Sequence, residues 1–433
     1  MNVNAKQILN TLNSYGFKAY IVGGAVRDFL MEKEIHDWDI TTNAKPSQIK
    51  KIFNCYDSGI KFGTVTAIVN EEHFEITTFR KDGEYLDGRR PLSIEFSDSL
   101  LDDAKRRDFT INCIYMDVDG KYVDPFGGIY DIINGVLRAV GNAEDRFNED
   151  ALRILRGYRF AGKYGLHIET ATNHAMFTLS HLVKNVSKER LAEELEKILI
   201  SNQYKDIHLF ADVIQLIIPE IVDMLGFKQY NPHHDFDVWV HTYKTLCFSP
   251  KDFVIRLALL LHDIGKPSTF ELENGVGRFR NHGVKSADIT EEVMNRLKFS
   301  TKLTNLVTTL VREHDAEVPN KRTLKRLLGR IGQENFERWA QIREADVRGQ
   351  KTVSDAGKLE RLAQIRLWFL EVIEENEAFS LKDLNINGFE VMELGYEGKE
   401  VGEVLNKCLE MVIEDASLNT KEQLFTIALF IEK

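Results

Sequence analysis

The sequence predicts an α+β fold, with a mixed head at its N-terminal end and helices through most of the remainder. A strand pattern over 19–24 ends in a Gly-Gly turn and leads into a short helix over 25–30. Alternating runs over 64–69 and 74–79 are separated by a polar turn, as in a β-hairpin. From residue 148 onward, apolar residues recur at helical spacing.

The remaining elements follow the same patterns. A further hairpin is expected to join 111–116 to 121–123 through the turn dipeptide Asp119-Gly120. Prolines punctuate the helical part of the chain. We therefore expect four segments: a head over 1–140, a helical neck over 141–230, a helical module over 231–330 and a helical tail over 331–433.

Size and charge exclude several classes of protein. At 433 residues the chain is long enough for more than one hydrophobic core. No apolar run approaches the roughly 18 residues of a membrane span, and the N-terminus lacks an apolar signal core. The four cysteines form no C-x-x-C pair. A net charge of −11 disfavours non-specific coating of nucleic acid but allows a local basic patch. We expect a cytoplasmic protein with no membrane partner.

Asp37 and Asp39 follow the Gly23-Gly24 turn, which can cradle a phosphate. Residues i and i+2 of a strand point to one face, so both carboxylates can bind one or two Mg²⁺ ions. Glu75, on the neighbouring hairpin, is a candidate third ligand. The alternative is a solvated strand end, since an isolated D-x-D is commonly just that.

Two further motifs suit nucleotide binding. In Arg106-Arg107-Asp108, which continues to Asn112, the guanidiniums can neutralise phosphate and the carboxylate can accept from a ribose hydroxyl. The alternative is a salt-bridged surface turn. In Glu149-Asp150-Ala151-Leu152-Arg153, we expect Asp150 and Arg153 to share one helix face as an acceptor and a donor. The alternative here is a solvated ion pair.

Taken in order, these motifs resemble class II tRNA nucleotidyltransferases, the bacterial CCA-adding enzymes and poly(A) polymerases of the DNA polymerase beta superfamily. The resemblance extends over essentially the whole chain and implies a polymerase-beta-like head. It implies that Asp37 and Asp39 bind Mg²⁺ and activate the primer 3′-hydroxyl. It assigns Asp150 and Arg153 to the Watson–Crick edge of CTP or ATP. The other implied nucleotide-binding residues are Gly23, Gly24, Arg27, Arg106, Arg107, Asp108, Asn112, Arg156 and Arg159, the last two with a helix-surface role as the alternative.

The resemblance also implies a product and a substrate. The polar stretch 78–91 is similar to a loop needed for the final A, and the helix over 187–197 is similar to one that braces the nucleotide-reading helix. We therefore expect addition or repair of the tRNA 3′-terminal CCA from CTP and ATP, with release of pyrophosphate. Addition of A alone, addition of CC alone and poly(A) synthesis remain alternatives.

A second candidate centre resembles the HD phosphohydrolase superfamily. His262-Asp263 ends an apolar run, and further histidines occur before and after it in the HD order. The resemblance implies a second divalent metal, with ligands from His241, His262, Asp263, His282, His314 and Asp315, and more weakly His233 and His234. A satisfied core histidine is the alternative for each. A function of another class follows, a metal-dependent HD phosphohydrolase acting on RNA ends.

Two regions are candidate tRNA contacts. The basic helix over 321–330 places Arg322, Lys325, Arg326 and Arg330 at spacings that can line one face, a possible phosphate track for the acceptor stem. A solvated helix face is the alternative. The glycine-bearing stretch 385–402 is similar to a tail element of the family, and we expect it to contact the tRNA elbow by shape.

Overall fold

The computed structural model describes residues 1–35, 37–83, 93–201, 206–231, 235–351 and 355–431. The chain forms two compact units, unit 1 (Met1–Ile198 and Asn202–Ile217) and unit 2 (Leu199–Ser201 and Ile218–Lys433). The finer division into four segments stays a prediction. Among the described residues, no helix combines the length and the apolar character needed to cross a membrane.

Unit 1 contains the predicted mixed head followed by helices. Its elements in chain order are α1 (Val3–Ser14), β1 (Ala19–Val22), α2 (Gly24–Leu30), β2 (Ile40–Thr42), α3 (Pro46–Ile52), β3 (Cys55–Gly59), β4 (Thr64–Val69), β5 (Glu72–Thr78), β6 (Arg80–Asp82), β7 (Ile94–Phe96), α4 (Leu100–Lys105), β8 (Tyr115–Met116), β9 (Tyr122–Val123), α5 (Gly128–Ile133), β10 (Val136–Leu137), α6 (Ala143–Glu149), α7 (Leu152–Tyr164), β11 (His167–Ile168), α8 (Thr170–Thr178), α9 (Lys188–Ile200) and α10 (Ile207–Ile217).

A seven-stranded sheet organises the head, in the order β3-β4-β5-β2-β1-β8-β9. Only the β2–β5 pair is parallel among these neighbours. The predicted β4–β5 hairpin is confirmed, and its turn residues Asn70 and Glu71 both have positive φ. Apolar residues of α1, α2 and α3 pack against the sheet, with Ile8, Val26 and Ile49 fully buried. This packing fixes the strand ends from which the site is built.

The described part of unit 2 is helical apart from one hairpin. Its elements are α11 (Val238–Phe248), α12 (Phe253–Leu261), β12 (Phe270–Glu273), β13 (Val276–Phe279), α13 (His282–Arg296), α14 (Thr301–Arg312), α15 (Lys321–Ile331), α16 (Phe336–Gln350), α17 (Ala356–Glu374), α18 (Gly388–Glu393), α19 (Lys399–Glu414) and α20 (Lys421–Phe430).

The β12–β13 hairpin was not predicted. Its turn is Asn274-Gly275, and both residues have positive φ, which an Asn-Gly dipeptide accommodates well. Part of the predicted loop over 78–91 is also different. Arg80–Asp82 pairs with Ile94–Phe96 as a two-stranded hairpin, and the remainder of that loop, from residue 84, lies outside the described residues.

Candidate active site

The Gly-Gly turn lies where predicted, at the end of β1 and the start of α2. Gly23 has φ 73° and ψ −130°, a conformation that favours glycine strongly. A Cβ on Gly23 would lie 3.6 Å from Asp39 Oδ2 and 3.6 Å from Arg107 Nη1. A carboxylate oxygen of the predicted metal site and a guanidinium nitrogen of the predicted triphosphate site therefore both lie next to this turn.

The two aspartates do not lie on the strand, contrary to the prediction. β2 begins at Ile40, so Asp37 and Asp39 belong to the segment that precedes it. The Val22 amide still donates to the Asp39 carbonyl at 3.0 Å, which holds Asp39 beside the end of β1. Ile40 pairs with Ile76 of the parallel strand β5, so Glu75 is the β5 residue nearest Asp39 in register.

The charges of Asp37 and Glu75 act on the carboxylate of Asp39. Burial raises the pKa of Asp39 above its ordinary value, as do the nearby negative charges of Glu75 and Asp37, while Arg107 and Arg27 oppose the shift. A cation is what such a set of carboxylates requires. Mg²⁺ binds typically through one or two carboxylates and completes its shell with water and substrate phosphates, so a closed protein cage is unnecessary. The aspartates fit that ion.

Asp103 contacts two of the predicted site residues and was not selected from the sequence. It is fully buried in α4, and its carboxylate accepts hydrogen bonds from Arg106 Nε at 2.9 Å, Arg107 Nε at 3.1 Å and the Tyr115 hydroxyl at 2.9 Å. Although burial alone raises it, Arg107 and Arg106 bring the pKa of Asp103 down to about 2. Its spacing of three and four residues before the two arginines was the available signal.

A chain of hydrogen bonds joins the predicted nucleotide-binding residues. Arg27 donates to Asn112 at 2.6 Å, and the Asn112 amide donates to Asp108 at 3.0 Å. Asp108 also receives both Nε and Nη2 of Arg156, at 2.8 and 2.6 Å. The guanidinium of Arg27 further lies 5.1 Å from the ring centroid of Phe160. The structure thus connects α2, the 108–112 segment and α7 into one framework.

The Arg153 amide donates to the Asp150 carbonyl at 3.0 Å, but the two residues do not lie on one helix face. Asp150 is in extended conformation between α6 and α7, and α7 begins at Leu152, so the predicted shared face is wrong. Arg153 is held by the Arg106 carbonyl at 2.8 Å and by Glu149 Oε2 at 2.6 Å. An extended residue between two helices can point its carboxylate away from the helix surface, which suits contact with a base edge.

Helix α9, which contains most of the segment 187–197 predicted to brace the nucleotide-reading helix, contacts this region. Arg190 donates to both carboxylate oxygens of Asp150, at 3.0 and 2.6 Å. One turn later, Glu194 accepts from Arg159 Nε at 2.5 Å in a buried pair. Arg159 is therefore engaged in packing between α7 and α9. Arg190 is a second residue that the sequence reasoning did not select.

The predicted HD histidines converge in unit 2. Nε2 of His241 and of His262 lie 3.2 and 3.1 Å from Asp263 Oδ2. Nε2 of His282 and of His314 lie 3.4 and 3.8 Å from Asp263 Oδ1. Their ligand atoms form two sets of three, each within 4.8 Å, and both sets include Asp263. Asp263 is thus the residue shared by two adjacent candidate metal positions.

The second ring nitrogens support metal binding. Nδ1 of His262, His282 and His314 lies 2.7 to 2.9 Å from a backbone carbonyl oxygen. A carbonyl oxygen can only accept, so Nδ1 is the donor in each of these contacts and Nε2 is the ring nitrogen that faces the cluster. This arrangement of imidazoles around a carboxylate suits a divalent transition metal.

Asp346 is a further acid beside this cluster. Asp315 is half-exposed and its carboxylate lies 3.8 Å from Nε2 of His282, so its role as a ligand stays a prediction. Asp346 on α16 lies 3.1 Å from Nε2 of His241. Although burial lowers it, Asp263 and Asp346 raise the pKa of His241 to about 9. His233 and His234 lie outside the described residues.

The cations of the predicted phosphate track on α15 are ion-paired within their own unit. Its cations contact carboxylates of the same unit at 2.6 to 2.9 Å: Arg322 with Glu414, Lys325 with Glu377, Arg326 with Glu410 and Glu414, and Arg330 with Glu313. Lys325 is moreover buried. In the tail, Asn387 already caps the first amides of α18, together with Glu390. Exposed ion pairs contribute little energy, so the contact of either region with tRNA stays a prediction.

Comparison with known proteins agrees with the geometry of the head. Family models match residues 19–138 as poly A polymerase head domain, 165–210 as an RNA- and SrmB-binding site of polymerase A, and 283–428 as tRNA nucleotidyltransferase domain 2.

Named relatives cover different shares of the chain. A CCA-adding enzyme of Lactobacillus helveticus is 37% identical over 299 residues, 69% of this chain and 71% of that protein. One of Streptococcus uberis is 46% identical over 202 residues, but the match spans only 50% of that protein. The crystal structure of the Bacillus stearothermophilus CCA-adding enzyme in complex with CTP is similar over 99% of this chain and 98% of that one, with 27% identity and a TM-score of 0.73. The chain belongs to the CCA-adding enzyme family of tRNA nucleotidyltransferases.

Proposed function

We propose that the chain adds or repairs the 3′-terminal CCA of tRNA, using CTP and ATP and releasing pyrophosphate. The observation that supports this most strongly is the position of Gly23 between Asp39 and Arg107. Transfer of a nucleotide needs charge neutralisation at the triphosphate and at the attacking hydroxyl. Arg107 can neutralise the triphosphate directly, and Asp39 can hold the cation that neutralises the hydroxyl oxygen. We infer that the substrate is tRNA from the names of the relatives.

Each residue has a role that follows from its chemistry. Asp37 and Asp39 would hold Mg²⁺, with the negative charge of Glu75 nearby. When bound, Mg²⁺ lowers the pKa of the attacking 3′-hydroxyl and neutralises charge on the leaving pyrophosphate. Arg106 and Arg107, oriented by Asp103, bind the triphosphate oxygens.

Base selection is assigned to the break between α6 and α7. The Asp150 carboxylate can only accept hydrogen bonds when ionised, so it suits the exocyclic amine that cytosine and adenine share. Arg153 can only donate, which suits a ring nitrogen or the cytosine carbonyl oxygen. Uracil and guanine present a carbonyl oxygen where Asp150 requires a donor.

Variants of the two aspartates test the head. Asp37→Asn and Asp39→Asn should each reduce incorporation of labelled CTP and ATP into tRNA by at least about a thousandfold, because each removes a ligand charge. Asp57→Asn is a matched control, since Asp57 is an exposed acid of the same unit that pairs with Lys50. Circular dichroism checks that the variants fold. Retained turnover in a folded Asp39→Asn protein would contradict the assignment.

We infer a second function for unit 2, divalent metal binding with hydrolysis of phosphate esters at RNA ends. Four buried or half-buried imidazoles around Asp263 favour it. The expected ligands are His241, His262, Asp263 and Asp346, with His282 and His314 at the neighbouring position. Lys266 Nζ lies 2.7 Å from Asp263 Oδ2 and neutralises part of its charge.

The two functions can be separated by one variant. His262→Ala should abolish hydrolysis of 2′,3′-cyclic phosphate or pyrophosphate and reduce bound metal, as measured by elemental analysis. Addition of CTP and ATP to tRNA should continue, because the head is built from residues of unit 1. Equal hydrolysis by the wild-type and His262→Ala proteins would refute this second function.

A further inference from the structure

The guanidinium of Arg27 lies against two aromatic rings of α7. Its central carbon is 5.1 Å from the centroid of the Phe160 ring and 4.7 Å from the centroid of the Tyr164 ring. Both distances are within the range of a cation–π interaction. The two rings lie 6.2 Å apart and are inclined by only 27°. Since they occupy positions i and i+4, α7 presents both rings to Arg27 from one face.

The Tyr164 hydroxyl makes a second link to the same arginine. It donates to Asp28 Oδ1 at 2.8 Å. The same oxygen accepts from Arg27 Nε at 2.9 Å and lies 2.9 Å from Arg27 Nη2. Tyr164 therefore contacts the guanidinium directly through its ring and indirectly through the Asp28 carboxylate. Together these contacts restrict the position and the plane of the guanidinium.

Counting the donors of Arg27 shows what remains for a ligand. A guanidinium has five N–H groups. Among the described contacts, Nε and Nη2 each use one on Asp28, and Nη1 uses one on Asn112. Two N–H groups remain, one on each terminal nitrogen. A Cβ on Gly24 would lie 3.5 Å from Arg27 Nη2, so this end of the guanidinium lies beside the turn that is predicted to cradle phosphate.

We propose that Tyr164 is a positioning residue for the triphosphate: it fixes Arg27 so that the two remaining N–H groups bind phosphate oxygens of the incoming nucleotide. The inference rests on the proposed function, because it assumes that Arg27 binds a nucleotide. An arginine side chain loses much rotamer entropy when it is fixed. An arginine that is already fixed before the nucleotide arrives therefore binds phosphate more tightly.

The proposal predicts a uniform effect on all nucleotides. Phosphate groups are the same in CTP, ATP and UTP, so a misplaced Arg27 should weaken their binding alike and leave base selection unchanged. Pyrophosphate, which has no base, should lose affinity in the same proportion. Interactions that are equal in the ground state and the transition state change KM and not kcat.

Two substitutions of Tyr164 separate its ring from its hydroxyl. Tyr164→Leu removes both, whereas Tyr164→Phe keeps the ring and removes the hydrogen bond to Asp28. Tyr158→Leu is a matched control on the same helix, because Tyr158 is buried near Asp212 of α10 and makes no described contact with Arg27. A purely structural role of Tyr164 in α7 would make Tyr164→Leu and Tyr158→Leu behave alike.

The test is steady-state addition of CTP and ATP to tRNA lacking CCA or A, with inhibition by pyrophosphate and thermal unfolding of each variant. For Tyr164→Leu, we expect KM for CTP and for ATP to rise by about 3- to 30-fold, as for loss of one cation–π contact to a buried cation. Ki for pyrophosphate should rise equally, while kcat and the ratio of kcat/KM for CTP over UTP stay within about twofold. Tyr164→Phe should lie between Tyr164→Leu and the wild type. Tyr158→Leu should lower Tm and leave KM and Ki within about twofold.

A double variant shows whether the effect passes through Arg27. If it does, adding Tyr164→Leu to Arg27→Gln should raise KM by less than about twofold further, because the two substitutions remove the same contact. An additive rise would show that Tyr164 acts elsewhere, and would overturn the proposal.

The other outcomes are also distinguishable. A KM and a Ki of Tyr164→Leu within twofold of the wild type, or an equal rise in Tyr158→Leu, would overturn the proposal. So would a fall in the ratio for CTP over UTP, since a phosphate contact does not read the base. If Tyr164→Leu fails to fold, a nucleotide KM of Tyr164→Phe equal to that of the wild type overturns it instead. Wild-type protein that adds neither C nor A would contradict the proposed function itself.

Discussion

Replacing Asp103 by asparagine should destabilise unit 1 and weaken nucleotide use together. The substitution keeps the shape of the side chain and removes the charge that Arg106, Arg107 and Tyr115 share. Both arginines would lose the carboxylate that orients them. We therefore expect kcat/KM for CTP and for ATP to fall by about 10- to 100-fold, because a displacement of about 1 Å in the groups that bind the triphosphate can have that effect.

The stability change can be worked from the pKa of Asp103. Its folded value of about 2 lies below the ordinary 3.8, and each pKa unit corresponds to 1.36 kcal/mol, so the charge stabilises the fold by about 2 kcal/mol at neutral pH. For a unit of this size, that predicts a fall in Tm of about 4–8 °C. Since the folded pKa is depressed, this stabilisation is present above about pH 4 and is lost as the pH falls toward 2.

Thermal unfolding at pH 7 and at pH 3, with the addition assay alongside, provides the measurement. Asp102→Asn is the control, because Asp102 is on the same helix but contacts Ser97 and Lys81 at the surface. It should cost less than about 1 kcal/mol and leave kcat/KM unchanged. An Asp103→Asn protein as stable and active as Asp102→Asn, or one whose deficit persists unchanged at low pH, would refute the reasoning.

Three further predictions concern other parts of the chain. Gly23→Ala should cost about 1–3 kcal/mol and lower kcat/KM more than tenfold, whereas Gly16→Ala, at φ 82° with nothing within 4 Å, should affect stability alone; equal activities would contradict this. Asp346→Asn should weaken Mn²⁺ binding by calorimetry more than about tenfold, while Asp315→Asn should leave it within about threefold; the reverse order would show that Asp315 is the ligand and Asp346 is not. Arg326→Gln should leave tRNA affinity and its salt dependence unchanged, because Arg326 is ion-paired, and a salt slope reduced by about one would show that it contacts phosphate.

Local pattern and motif order predicted most of the head. The β1–turn–α2 unit and the β4–β5 hairpin depend on alternation, glycine and turn residues, all of which are adjacent in sequence. The same type of signal, Asn274-Gly275, marks the β12–β13 hairpin, but the long helical pattern on both sides obscured it. Asp150 was misplaced because helix periodicity does not indicate where one helix ends and the next begins.

Contacts between distant residues could not be predicted. Asp346 reaches His241 from a helix about a hundred residues later, and Arg190 reaches Asp150 from one 40 residues later. The basic face of α15 was a reasonable RNA contact in sequence, yet one of its carboxylate partners, Glu414, lies 92 residues after Arg322. Pairing of this kind depends on tertiary packing, which composition and spacing do not specify.

The most direct test of the central claim is nucleotide addition to tRNA substrates lacking A, CA or CCA, with CTP and ATP offered separately and together. We predict that CTP alone adds two residues to tRNA lacking CCA, ATP alone adds one to tRNA lacking only A, and both together restore CCA and then stop. Continued addition of A would indicate a poly(A) polymerase, and a product ending at CC or limited to A would indicate a narrower enzyme. Efficient use of UTP or GTP would contradict base selection by Asp150 and Arg153.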